Sequence, residues 1–136
     1  MKILIVEDEL ASRKYLSRVM ESYGECVTAQ NGVEAVLNVK DSLVSGDRFD
    51  LICMDIMMPE MDGLEALEKV RALEREYCIE PRFESKVMMT TALGDPSNVM
   101  EAYYKGGASV YLTKPLTIEK IREAMIELGF LKKTLE

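Results

Sequence analysis

Four short apolar stretches of this chain end in groups that can do chemistry. Glu7 and Asp8 follow Ile3-Leu4-Ile5-Val6, Asp55 follows Leu51-Ile52-Cys53-Met54, Thr90-Thr91 follow Val87-Met88-Met89, and Lys114 follows Val110-Tyr111-Leu112-Thr113. One acid at a strand end is ordinary, because carboxylates commonly cap helices; four such endings call for a common explanation. Acids gathered at one edge repel each other, which raises their pKa values unless a cation lies among them. An oxygen-only site with open positions suits magnesium (Mg2+), which takes one or two carboxylates together with water and a phosphate. A carboxylate such as Asp55 can act as nucleophile towards phosphorus and form an aspartyl phosphate. Lys114 and the cation would then share the charge of the transferring group, and a threonine hydroxyl would bind the product.

Composition narrows the chemistry further. The chain has no histidine, which removes Ser-His-Asp and Cys-His catalysis, imidazole metal sites and any role as phosphohistidine donor. Its net charge of -7 opposes binding to a phosphate backbone, which needs clustered Lys and Arg, so no direct nucleic acid binding by this domain is expected. The 136 residues match one domain. Cys26, Cys53 and Cys78 are odd in number, widely spaced and without a Cys-x-x-Cys pair, so they read as reduced packing residues rather than a disulfide or zinc framework. The start Met-Lys-Ile-Leu-Ile-Val-Glu-Asp returns to acid after its apolar run and is neither a signal peptide nor a membrane span; a cytoplasmic protein without membrane contact is expected.

These groups need elements to carry them. The apolar runs at Ile3 and Leu51 are too short for helices and suit strands covered on both faces of a parallel sheet. Between them, Leu16, Val19, Met20 and Tyr23 recur at helical spacing, predicting a helix from Glu9 to about Tyr23 with Arg13, Lys14, Arg18 and Glu21 on its outer face and Gly24 as its stop. Cys26, Val27 and Thr28 favour a strand over Glu25 to Ala29, and Asn31 with Glu34 opens a second helix that buries Val36, Val39 and Leu43 before Ser45-Gly46-Asp47.

After Asp55, Pro59 forbids the strand to continue, and Asp62 caps a helix from Gly63 to about Tyr77 with Leu67, Val70, Leu73 and Tyr77 inside. Cys78 to Lys86, with Pro81, reads as a surface loop, and Val87 to Thr91 as the fourth strand. Asp95-Pro96 starts a helix with Val99, Ala102 and Tyr103 inside, ended by Gly106-Gly107. Ser109 to Leu112 is the fifth strand, and Thr117 caps the last helix, whose Ile118, Ile121, Met125 and Leu128 face the core until Gly129. Five strands alternating with five helices predict an α/β fold: one doubly wound parallel sheet, helices on both faces, right-handed crossovers.

At this point the sequence resembles the receiver domains of two-component response regulators, the CheY-like domains of phosphorelay signal transduction. The likeness runs from Lys2 to about Leu128 and is carried by Ile-Val-Glu-Asp at 5 to 8, Met-Asp-Ile-Met-Met-Pro-Glu-Met-Asp-Gly at 54 to 63, Thr-Ala at 91 and 92, Gly-Gly-Ala at 106 to 108 and Thr-Lys-Pro at 113 to 115. The resemblance implies the flavodoxin-like strand order 2-1-3-4-5 and a receiver domain over 1–129 with 130–136 as a tail. It implies that Asp55 is the phosphoacceptor, that Asp8 and Asp55 bind Mg2+ with Glu7 direct or through water, and that the Met57 backbone carbonyl is a further ligand. It makes Thr91 the switch hydroxyl, Tyr111 the switch aromatic and Lys114 the phosphate-contacting lysine before a cis proline. Thr90 reads as a packing residue, and the methionines as core filler, with Met57 and Met58 beside the site.

The work so implied is signalling rather than enzymatic turnover. A sensor histidine kinase or phosphotransfer protein would phosphorylate Asp55, and the surface of the fourth helix, fifth strand and fifth helix would change for a downstream effector, with the domain a monomer or a phosphorylation-dependent dimer. Met57 and Leu93, two residues after the acceptor and the switch threonine, cannot orient a water, so a long-lived phosphorylated state is expected. The competing readings are a haloacid-dehalogenase-like phosphatase, whose second acid would stand where Met57 stands, and a constitutive interaction module that keeps the fold without phosphorylation. The connection from Arg75 to Lys86 is longer than the usual receiver pattern and reads either as a family-specific contact surface or as a surface insertion, with the insertion slightly favoured. The few residues after Gly129 favour a stand-alone regulator.

Overall fold

The computed structural model describes residues 1–92 and 107–133. Among these the chain runs β1 (Lys2–Val6), α1 (Leu10–Met20), β2 (Glu25–Ala29), α2 (Gly32–Ser45), β3 (Leu51–Asp55), α3 (Gly63–Glu76), a 3-10 turn (Pro81–Phe83), β4 (Lys86–Thr91), β5 (Val110–Thr113) and α4 (Ile118–Glu127). The strands form one parallel sheet in the order β2-β1-β3-β4-β5. That is the predicted doubly wound, flavodoxin-like order, and α4 is the fifth of the predicted helices. The helix predicted at Asp95-Pro96, with Val99, Ala102, Tyr103 and Gly106, lies outside the described residues, as does Leu93.

The apolar runs sort by parity, because successive strand side chains point to opposite faces. Leu4, Val6, Ile52, Met54, Val87 and Met89 meet Ala35 and Val39 of α2 and Ala66, Leu67 and Val70 of α3 on one face. Ile3, Ile5, Leu51, Cys53 and Met88 meet Leu16 and Met20 of α1 and Ile121, Ala124 and Met125 of α4 on the other. Both faces of β1 and β3 are therefore covered, which is why those strands carry uninterrupted apolar residues. Burial also pushes the Cys53 thiol up to about 12, so it packs as an inert residue.

The helices begin where the capping residues place them. Asn31 accepts from the Glu34 N–H at 2.9 Å, Asp62 from the Glu65 N–H at 2.8 Å and Thr117 from the Lys120 N–H at 3.1 Å, each satisfying a donor the helix cannot satisfy itself. Several inward assignments need correction. α1 ends at Met20 rather than Tyr23; the chain must turn there so that the Glu25 N–H reaches the Met1 carbonyl and β2 pairs with β1. Tyr77 is 37% exposed, and Glu74 takes the buried place on that end of α3. Ile118 is 63% exposed, because α4 meets the sheet only from Ile121 onward. Cys78 is exposed, not packed, and the predicted surface loop at 78–86 contains the 3-10 turn and a buried Ser85. Beyond Gly129, Phe130 and Leu131 still pack on the α1–α4 side of the core.

Candidate functional site

Parallel pairing brings the four polar endings to one rim. Val6 lies opposite Met54, so the next residue, Glu7, comes level with Asp55 at the end of β3; Asp55 in turn lies opposite Thr90, and Thr91 opposite Thr113. The Lys114 N–H then donates to the Thr91 carbonyl at 2.8 Å, which folds the loop after β5 back towards the acids. Pro59 and Asp62 turn the chain sharply after Asp55, and the Gly63 N–H donates to the Ile56 carbonyl at 2.8 Å. A side chain at Gly63 would run into the Asp55 carbonyl oxygen and the Ile56 Cα; only glycine lets α3 start this close to the strand end.

The Lys114 ammonium donates to Asp55 Oδ2 at 2.9 Å and to Glu7 Oε2 at 3.3 Å. The Met57 N–H donates to Asp55 Oδ1 at 3.3 Å, so both oxygens of Asp55 are held. Carboxylate oxygens of Glu7, Asp8 and Asp55 lie within 4.8 Å of one another, Glu7 and Asp55 buried and Asp8 exposed. Burial, and after it the Asp55 charge, push Glu7 up to about 7 although Lys114 pulls the other way. Burial works against the charge of Lys114 as well, yet the hydrogen bonds and charges of Asp55 and Glu7 raise it above its ordinary value.

Among the described residues, one ammonium bonded to two of three clustered carboxylates leaves the rim short of positive charge, and the acids offer hard oxygens. That combination fits magnesium, which prefers carboxylate and water oxygens to imidazole or thiolate. The sequence-predicted acids and Lys114 thus meet directly. Thr91 reaches the same rim by register; it is buried, and its hydroxyl donates to the Ala92 carbonyl at 3.4 Å. Thr90 is buried too, with no hydrogen-bond partner for its Oγ1 among the described residues. Tyr111 lies on β5 level with Met89, half-buried against the α2–α3 side of the core. The Met57 side chain is 59% exposed, while Met58 is buried. The Lys114-Pro115 bond is cis.

Three supporting residues escape the sequence reading. Arg13, assigned there to the outer face of α1, reaches back to the carbonyls of Glu7 at 2.9 Å and Asp8 at 3.4 Å. Lys120 donates to the carbonyls of Thr113 at 2.9 Å and Pro115 at 3.1 Å, and the Tyr15 hydroxyl to the carbonyl of Leu116 at 2.8 Å. The available signal was a lysine in the first turn of a helix, where the dipole disfavours a cation and another partner is needed.

Residues 3–126 match a family model described as response regulator receiver domain. The chain is 32% identical over 127 residues to the chemotaxis protein CheY of Listeria monocytogenes, covering 92% of this chain and 95% of that one. It is 30% identical over 125 residues to the sporulation initiation phosphotransferase F of Bacillus subtilis, covering 91% and 90%. Among solved structures it resembles the CheX-CheY-BeF3-Mg+2 complex from Borrelia burgdorferi, with a TM-score of 0.78 and 28% identity over 97% of this chain and 90% of that one.

Proposed function

The chain belongs to the response regulator receiver domain family, and on that premise we propose that Asp55 accepts a phosphoryl group from a phosphohistidine on a sensor histidine kinase or phosphotransfer protein. The observation that carries this reading is the Lys114 ammonium 2.9 Å from the Asp55 carboxylate at a rim shared with Glu7 and Asp8. An Asp55 oxygen forms a bond to phosphorus as the phosphorus–nitrogen bond breaks, and the imidazole nitrogen leaves with the electron pair. Lys114, already fixed on Asp55, lies where it can donate to the phosphoryl oxygens as their charge develops. Glu7, Asp8, Asp55 and the Met57 backbone carbonyl would hold Mg2+, which when bound neutralises the acids and the transferring group.

In the phosphorylated state the Thr91 hydroxyl turns from its 3.4 Å contact with the Ala92 carbonyl to the phosphoryl oxygen, and Tyr111 follows into the space it leaves. This biases an existing pair of conformations, and the surface of the predicted fourth helix, β5 and α4 reports it to an effector. The test is incubation with acetyl phosphate and Mg2+, with the phosphorylated fraction read by intact mass. The wild-type chain gains one phosphoryl group, and Asp55→Asn gains none. An Asp55→Asn protein that is phosphorylated as fast as wild type ends the reading.

A further inference from the structure

The loop that delivers Lys114 has its backbone carbonyls occupied by side chains from two helices. The Lys120 ammonium, in the first turn of α4, spans the carbonyls of Thr113 and Pro115 at 2.9 and 3.1 Å, one on each side of Lys114. From α1 the Tyr15 hydroxyl takes the next carbonyl, that of Leu116, at 2.8 Å. The Lys114 N–H is held separately by the Thr91 carbonyl. A lysine side chain is long and freely rotating, so its ammonium is aimed only as well as its own backbone is fixed.

We propose that Lys120 is a positioning residue for Lys114: by bridging the carbonyls on both sides of it, Lys120 fixes the backbone from which the Lys114 ammonium reaches Asp55. Two costs argue that this contact is made for a reason. A cation in the first turn opposes the helix dipole, a place Glu119 serves with the favourable sign. Immobilising a lysine also costs roughly 1.5–2 kcal/mol of rotamer freedom. Charge-assisted hydrogen bonds to two carbonyls offset both terms. Thr113, the last residue of β5, and Pro115 are both exposed, so without Lys120 their carbonyls would face water and the loop between β5 and α4 would be free to shift.

The inference rests on the reading of Asp55 as acceptor and Lys114 as its charge partner, and a double-mutant cycle separates the two. Initial rates of phosphorylation by acetyl phosphate with Mg2+ are compared for wild type, Lys114→Met, Lys120→Met, Lys120→Arg and the Lys114→Met/Lys120→Met pair. Loss of aim is worth about tenfold, within the range that small misplacements cost, so Lys120→Met slows the wild type about tenfold and Lys120→Arg restores it to within about threefold. In the Lys114→Met background the same change costs less than about twofold, because a residue acting through another has nothing left to position.

A second readout needs no metal. The Lys114 ammonium resonance, visible by NMR when hydrogen bonds slow its exchange with water, is lost in Lys120→Met and returns in Lys120→Arg. An equal cost in both backgrounds, which a general electrostatic or folding role would give, overturns the proposal, and so does no cost in either. If Lys114→Met itself keeps the wild-type rate, the reading of the site has failed, and the positioning role falls with it.

Discussion

Replacing Glu7 with glutamine should stabilise the metal-free protein above neutral pH and remove its response to Mg2+. The magnitude follows from the position of Glu7. It is 1% exposed, and burial together with the Asp55 charge moves it from an ordinary 4.5 to about 7. Because the folded state holds a proton that the unfolded state has already released, stability falls as pH rises between those values: the contribution is intact below about 4.5 and gone above about 7. At roughly 1.4 kcal/mol per pKa unit the deficit approaches about 3 kcal/mol by about pH 8.

Glutamine has the shape of the protonated acid and escapes that deficit. For a domain of this size, about 3 kcal/mol corresponds to about 10 °C in Tm. Thermal unfolding followed by far-UV circular dichroism, in a chelator, at about pH 5 and about pH 8, measures it. The two proteins should melt close together at the lower pH and separate at the higher, with Glu7→Gln above. Mg2+ at a hundredfold excess over its Kd should then raise the wild type by about 2.7 kcal/mol and the variant by much less. A variant that melts below wild type at about pH 8 in chelator, or curves that differ equally at both pH values, would refute the argument that unbalanced acids cost this fold stability.

Three further outcomes are expected. Gly63→Ala drives a methyl into the Asp55 carbonyl and Ile56 Cα, so it should destabilise by about 1–3 kcal/mol as overpacking does and lower the phosphorylation rate at Asp55; unfolding and intact-mass assays check both. Glu74 is buried, pairs with Arg71 at 2.6 Å and accepts the Ser85 N–H at 2.7 Å. Glu74→Ala should cost about 3 kcal/mol in chemical denaturation, because it leaves the Ser85 N–H without its acceptor and the Arg71 guanidinium, which also donates to the Ser85 and Gly107 carbonyls, without its acid. Met57→Asn puts a polar group on an exposed position two residues past the proposed acceptor, and it should shorten the phosphorylated lifetime measured after donor removal; an unchanged lifetime counts against the expectation that Met57 slows hydrolysis.

The parts of the fold legible in the sequence are those where one local rule acts alone. Uninterrupted apolar runs mark β1 and β3 because both faces are covered, and Asn31, Asp62 and Thr117 mark helix starts because a helix leaves its first N–H groups unpaired. What stays hidden depends on contacts that only the folded chain makes. Glu74 looks like a surface acid until the Arg71 guanidinium and the Ser85 N–H are brought to it. Ile118 fits the apolar stripe of α4 by spacing, but it is exposed, and among the described residues the helix joins the core cluster through Ile121, Ala124 and Met125. The acids and Lys114 are legible because each ends a strand, and parallel register carries strand ends to the same rim. Arg13, Tyr15 and Lys120 are not, because their targets are backbone carbonyls, which no residue type announces.

The choice of Asp55 over its neighbouring acids as the proposed acceptor can be argued from the same contacts. A nucleophilic carboxylate must be ionised, aimed, and close to the cation that receives the developing charge. Glu7 is pushed up to about 7 and so carries a proton for part of the time near neutral pH. Asp8 is exposed, so water competes for its oxygens and its rotamer is less constrained. Asp55 is 5% exposed, with Lys114 on one oxygen and the Met57 N–H on the other, so it is the acid already held beside its charge partner. Asp55→Asn should therefore abolish phosphorylation without passing it to Asp8. Peptide mapping of that variant after acetyl phosphate treatment decides the point, because a phosphoryl group on Asp8 would mean that nearness to the cation outweighs aim.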